Sequence, residues 1–363
     1  MKRIATILLL CLLAGAVSAG PAYMQQITFP GYTRSETLTN FPALVTFTNY
    51  TGFLSTNGYD LRFWTNATFT GTPLNYEIDT WNTAGSSYVW VQVPTLAIGT
   101  SIWATWGDPL NTSQQAYTTN GATWNSGYAG VWHLAQTNAF DSTVNTNNLA
   151  NTSVTTTNNG PFGAPAAHFS GNPSKLEIAS SASLTLPVTI TMSTWVRYTS
   201  IPDVNYACLI EKQYSPNYDY CMMIKKADDK LSSYFYFTGV QRSIDGGTGA
   251  AIAPNVWTHL ESTWDGVTIR TYINGATNQA LAASSYGWTG PDGIFDLGHS
   301  KWDSGRWLIG DLGETRVSSV ARDANWVWAE YMNMASNTVF NLYGPVKTAS
   351  TAASWGFFDQ ETY

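Results

Sequence analysis

The sequence predicts an all-β protein of two β-sandwich domains with one short helix near the C-terminus. Three observations carry this. Runs such as "ALVTFTN", "DLRFWT" and "YVWVQVPTL" alternate apolar and polar side chains and are broken by Gly, Pro and Asn. Only 11% of residues are charged, against about 25% in ordinary globular chains, while 14% are aromatic, enough to fill sizeable cores. Helical periodicity occurs only at "RDANWVWAEYMN".

Taken in order, residues 1–19, "MKRIATILLLCLLAGAVSA", have the basic start, apolar run and small-residue end of a secretory signal, with cleavage near Ala19. The expected location is therefore secreted, extracellular or periplasmic. No other stretch is apolar and long enough to span a bilayer, so no membrane span is expected in the mature chain. The net charge is -7 and there is no basic cluster, which argues against nucleic acid as a partner.

Residues 22–118 form the first block of short strands, and a stretch at 107–130 rich in Asn, Thr, Ser and Gly marks the boundary. Strand-like runs resume at 128 and continue to 345. In "THLESTWDGVTIRTYINGAT", Asp265-Gly266 and Asn274-Gly275 suit two-residue primed turns with both central residues at positive φ. They predict strands at 257–264, 267–273 and 276–282. Asp323 is the expected N-cap of the helix, followed at three-residue spacing by Trp326, Ala329 and Met332 or Asn333. Residues 346–363 read as a linker or tail.

Cys208 and Cys221 flank "LIEKQYSPNYDY". If residue 212 pairs with 217, they face one another across two antiparallel strands, and a disulfide is expected. The alternative is two buried thiols packing as small apolar groups.

Two family resemblances follow. Over residues 25–118, "LTNFPALVTFTN", "GYDLRFW", "LNYEIDTWN", "YVWVQVPTL" and "WATWGDP" resemble the domain of unknown function called DUF2341, with Trp106 and Asp108 as departures from its pattern. Over 128–345, "GVWHL", "AAHFSG", "TITMSTWVRY", "NVWTHLESTWDGVTIRTYINGA" and "GDLGETRVSSVARDANWVWAEY" are similar to a LamG-like jelly roll of the concanavalin A-like lectin/glucanase superfamily. The pairing implies a binding or adhesion element of an exported bacterial protein. Fold alone does not fix function.

Each chemistry-bearing residue also has a blander structural role open to it. Glu77 and Asp79 in "LNYEIDTWN" share a strand face and resemble the Glu-Ile-Asp segment of laminarinase-type glucanases. Retaining hydrolysis needs two carboxyls about 5–5.5 Å apart. Those enzymes place the second Glu shortly after the Asp, where this chain has Trp81 and Asn82. The pair is expected to be solvated and non-catalytic, as DUF2341 itself commonly shows such a strand. Glu314 is expected to pair with Arg316, without a matching carboxylate. His133, His168, His259 and His299 are scattered singly and fit no metal or nucleophile motif; His133 and His259 alternate with aromatics in strands and are expected to be packed and hydrogen-bonded. Calcium is a candidate cofactor, because the superfamily resemblance implies loop sites. Asp141 in "DSTVNTNN" and Asp311 are the nearest candidates, although such loops also cap their own backbone.

Sixteen Trp and twenty Tyr exceed what cores readily absorb, and flat exposed rings suit sugar faces. "HSKWDSGRW" offers Trp302, Asp303, Arg306 and Trp307 near a loop tip, and "SSYGWTG" offers Tyr286 and Trp288. The expected function is a secreted, non-catalytic binding or adhesion protein for a glycan or envelope component. A β-glucan hydrolase and a structural spacer of a surface assembly are the alternatives.

Overall fold

The computed structural model describes residues 20–348, apart from residues 180, 187, 203–204, 215–216, 238–239, 284–292, 302 and 304. The chain is mostly β. Leu38–Thr48, Ser86–Leu96 and Tyr76–Thr80 form one antiparallel sheet in that order. Tyr23–Thr28 lies at the centre of a second, between Ser101–Trp106 and Leu342–Tyr343. Alternation sends Val45, Val89 and Val91 of the first sheet against Ile27, Phe63 and Ile102 of the second, and all six are buried. Lys347–Thr348 also pairs with Tyr23–Thr28, so the described end of the chain returns to this first sandwich.

The second sandwich is larger. An eight-stranded sheet is built around Ile190–Ser200, Thr258–Trp264 and Ile309–Ser318. A seven-stranded sheet built around Tyr206–Tyr214 and Asn217–Lys225 covers it. Met192, Leu260 and Leu312 meet Met222, Phe235 and Leu297 in its core. Each such side chain contributes about 1.5–3 kcal/mol on burial.

The helix Ala324–Ala335 begins where expected, with the Asp323 carboxylate accepting from the amides of Asn325 and Trp326. It lies between the sandwiches. Trp326 and Ala329 join the first sandwich's core, while Asn333 Oδ1 accepts from the Leu44 amide at 2.5 Å. Asn337 and Asn341 donate to the Leu44 carbonyl, each at 2.8 Å. Three asparagines thus fasten the helical segment to Leu38–Thr48, the edge strand of its three-stranded sheet.

Two local expectations are corrected. The three strands of the predicted double hairpin are Thr258–Trp264, Thr268–Ile273 and Ala276–Ala282. Asn274 and Gly275 both have positive φ (50° and 73°), but at the other turn Gly266 alone does, at 90°. There Asp265 takes the amides of Val267 and Thr268 on its own carboxylate, which makes a wider loop.

The expected disulfide is also absent, and Cys208 and Cys221 are free buried thiols. Tyr214 pairs with Asn217, and bulges follow at Lys212/Gln213 and Cys208/Ile210. The register therefore puts Cys208 opposite Met223 and Cys221 opposite Glu211, diagonal rather than facing. Both pack with Met223 and Tyr234. Burial first, and the nearby Glu211 second, push both thiol pKa values well up.

Candidate functional site

Three surfaces deserve comparison. On the loop first expected to bind, Asp303, Arg306 and Trp307 are described, whereas Trp302, Tyr286 and Trp288 lie outside the described residues. Arg306 Nε sits 3.2 Å from Asp303 Oδ2, and its guanidinium lies 4.8 Å over the Tyr206 ring. Trp307 stacks on His299 with ring centres 4.0 Å apart. The described part of this loop is organised by internal packing, with the Asp303 side chain 41% exposed.

The second surface is a groove of about 550 Å³ between the Asn274-Gly275 turn and the helix. Trp328 and Tyr331 form its aromatic wall, and Arg34, Asn274, Thr277 and Asn325 its polar rim. The turn shapes it directly. A Cβ on Gly275 would meet the Tyr331 ring and Cβ at 2.9 Å, so only glycine allows this approach. Arg34 lies 4.3 Å above the Trp328 ring, and the Asn325 amide is oriented by Glu36 at 2.6 Å.

The third is a pocket of about 170 Å³ at the junction of the sandwiches, lined by Glu77, Asp79, His133, Gln136, Asn138 and Ser142 among others. Contrary to expectation, Glu77 and Asp79 are half-buried here, not solvated. The second sandwich covers the face they share. Glu77 Oε1 accepts from Ser142 at 2.7 Å, and Oε2 accepts from the Trp124 indole. His133 reaches Glu314 Oε2 through Nδ1 at 2.7 Å, while its Nε2 lies 3.6 Å from Glu77 Oε2. Glu314 is thus not alone: ligand atoms of Asp79, His133 and Glu314 lie within 4.8 Å of one another.

The electrostatics follow from burial and crowding. Burial raises the Asp79 pKa to about 6, partly offset by His133 and reinforced by Glu314 and Glu77. For His133, burial disfavours the charge, but the carboxylates of Glu314 and Asp79 and hydrogen bonds to Glu314 and Glu77 outweigh it. Its pKa stands well above the ordinary value. Burial likewise opposes ionisation of Glu314, yet His133 and Arg316 hold its pKa below normal.

The charges continue inward. Arg316 makes the expected pair with Glu314 (2.9 Å) and adds a contact to Glu330 at 3.4 Å, stacking over Trp90 at 4.4 Å. Glu330 lies 3.1 Å from the Ser193 hydroxyl and 3.7 Å from His259 Nε2. Beyond it, Glu261 is fully buried and has no hydrogen-bond partner among the described residues.

The calcium candidates are engaged elsewhere. Asp141 accepts from the amides of Val131, Thr143 and Asn147 and from the Thr143 hydroxyl, all at 2.8–3.0 Å. Asp311 pairs with His168 and Arg197, each at 2.7 Å. A cation at either place would have to displace these donors.

An all-β chain with two face-to-face sheets in its second sandwich defines the class, and comparisons refine it. The family model for the concanavalin A-like lectin/glucanases superfamily, Laminin_G_3, matches residues 170–327. The match does not extend to residues 25–118. No curated protein matches the sequence. Among solved structures, the binding domain of Paraclostridial Mosquitocidal Protein 1 is 16% identical, with TM-score 0.46, covering 56% of this chain and 52% of that one. Domain 4 of AbnA, a GH43 extracellular arabinanase from Geobacillus stearothermophilus in complex with arabinotriose, is 18% identical with TM-score 0.46, covering 56% and 97%. A heptameric SAP-like pentraxin from Limulus polyphemus is 15% identical with TM-score 0.37, covering 45% and 80%. The chain spans about half the length of the mosquitocidal binding domain it matches.

Neither the groove nor the junction pocket was found by reading the sequence. Trp328 and Tyr331 sit in the one helical segment, and Arg34 and Asn274 arrive from some 290 and 50 residues away. Same-face spacing of Glu77 and Asp79 was the one local sign of the junction.

Proposed function

We propose that this chain is an exported, non-catalytic binding module for a glycan or envelope component, with the groove beside Trp328 as its ligand site. The observation that carries the proposal is the groove's composition: two half-buried rings forming a wall, rimmed by a guanidinium, two amides and a hydroxyl. Sugars present apolar faces to rings and hydroxyls to such donors and acceptors. Its volume also falls in the range of about 300–1,000 Å³ typical of small-ligand sites. The export-like residues 1–19 and the DUF2341 resemblance over 25–118 support the same reading. The exposed Asp303 edge, with Trp302, Arg306, Trp307 and the Tyr286–Trp288 loop, is proposed as a secondary contact.

The hydrolase alternative draws on one observation, the convergence of Glu77, Asp79 and Glu314 around His133. Two facts weigh against it. Glu77 and Glu314 each hold two donors already, which leaves no matched free acid and nucleophile. The pocket, about 170 Å³, is also small for a sugar chain.

A glycan array with the purified chain tests the proposal, followed by Arg34→Ala and Asn325→Ala on any ligand found. Each change is expected to weaken binding about tenfold, close to 1.4 kcal/mol. Unchanged affinity in both, with loss in Trp302→Ala, would move the site to the other loop. No retained glycan at all would overturn the proposal.

A further inference from the structure

We infer that the groove beside Trp328 selects an acidic sugar, whose single carboxylate or sulfate ester docks on Arg34 within an otherwise neutral chain; this rests on the groove being the glycan site. Three observations carry it.

The first is Arg34 itself. It is the one charged residue among those that line the groove, and its side chain is exposed there. Among the described residues it makes no ion pair and no hydrogen bond, only the stack 4.3 Å above the Trp328 ring. A ring holds the cation in place but offers no lone pair to its N–H groups, so those donors remain unsatisfied by protein. A planar fork of donors fits two oxygens of a carboxylate or sulfate, and hydrogen bonds to an ionised partner are about twice as strong as neutral ones.

The second is that the neighbouring acids are engaged elsewhere. Glu36 accepts from the Asn325 side-chain amide at 2.6 Å. Asp323 accepts from the backbone amides of Asn325 and Trp326 at 2.8 and 3.0 Å. Neither acid lines the groove, so the charge facing the space is positive.

The third is the orientation of the rim. Asn274 Oδ1 accepts from the His259 backbone amide at 2.9 Å, which fixes the side-chain amide and leaves its NH2 to donate. Thr277 adds an exposed hydroxyl. Asn325 spends an N–H on Glu36, which leaves its Oδ1 as an acceptor for a sugar hydroxyl. Guanidinium, NH2 and hydroxyl make the rim richer in donors than in acceptors, as an anion requires.

The surrounding charge limits the ligand to one such group. The chain carries -7 overall, and Glu36 and Asp323, which both hold Asn325 at the rim, are exposed. A second anion on the next sugar would face these carboxylates within the screening length of about 8 Å at physiological salt.

The test presents the purified chain with oligosaccharides ending in one hexuronic acid, their carboxyl-reduced neutral counterparts, singly sulfated counterparts and a polyuronate. Singly acidic members are expected to bind about tenfold more tightly than the neutral ones. The carboxylated and sulfated arms show which anion is read, and the polyuronate should bind more weakly than either. Arg34→Gln should bring acidic and neutral members to within about twofold of one another, and Arg34→Lys should keep only part of the preference, since lysine is a point charge without the fork. Glu36→Gln keeps an acceptor for Asn325 and should tighten binding of the acidic members alone. Neutral members held as tightly as acidic ones would overturn this inference and leave the groove a glycan site. An acidic preference that survives Arg34→Gln would also overturn it, and failure to retain any member would overturn both readings.

Discussion

Two clusters of histidine and acid lie on either side of Arg316 and are built from the same chemical set. One is His133 with Glu77, Asp79 and Glu314; the other is His259 with Glu261 and Glu330. The first opens on a pocket, and its acids are tied to hydroxyl, indole and imidazole groups. The second lies beneath the helix, with His259 and Glu261 both at most 1% exposed. Its charges are balanced by Arg316 and Arg322, and no solvent space adjoins it among the pockets described. Composition alone therefore does not make a site. Access separates the two, and so does the cation count: Arg316 faces both clusters, while Arg322 acts on the second.

The largest expected break in this comparison comes from the residue both clusters share. Arg316→Met strands Glu314 and Glu330 in the interior, and removing one partner of a buried ion pair costs about 3–5 kcal/mol. Chemical denaturation should show a loss of that order. A loss under about 1 kcal/mol would mean the network is not load-sharing. Next comes the clamp on the sealed side. Asn333→Ala removes the acceptor for the Leu44 amide and should cost about 1–3 kcal/mol by the same measurement.

A smaller effect separates the clusters by pH. Burial, then Glu330, raises the Glu261 pKa well above its ordinary value, while Arg322 and Arg316 act the other way. In the folded protein the ionised form is therefore disfavoured relative to the unfolded chain. That cost is absent below the unfolded pKa of about 4.3–4.5 and grows as pH rises above it. Glu261→Gln should stabilise the protein at about pH 8 and leave it unchanged near pH 4. A destabilised variant at the higher pH would show that the carboxylate is paired. The smallest effect concerns the thiols. Without reductant, the folded chain should be nearly inert to a thiol reagent, and the unfolded chain from Gly20 onward should take up two equivalents.

Much of the architecture was legible in the amino-acid order, for physical reasons. Alternation reports which side of a strand is buried, so "ALVTFTN" and "YVWVQV" read correctly as strands. Asn274-Gly275 encodes its turn, and Asp323 its helix start, through contacts within a few residues. The cysteine pairing failed because a register depends on bulges that no local rule reveals. The junction pocket failed for a deeper reason. Glu77 and Glu314 are separated by more than 200 residues, and what covers the Glu77 face is another sandwich. A strand's own periodicity shows that Glu77 and Asp79 point together, but not that His133 waits opposite.

The central claim is that this protein holds a ligand without cutting it, even though three acids gather around His133. The most direct test incubates the purified chain with the glycans it retains, following bound ligand and new reducing ends in the same sample. Retention that falls in Arg34→Ala, with no reducing ends released, is expected. Reducing ends that accumulate with the unmodified chain and disappear in Glu77→Gln would contradict it.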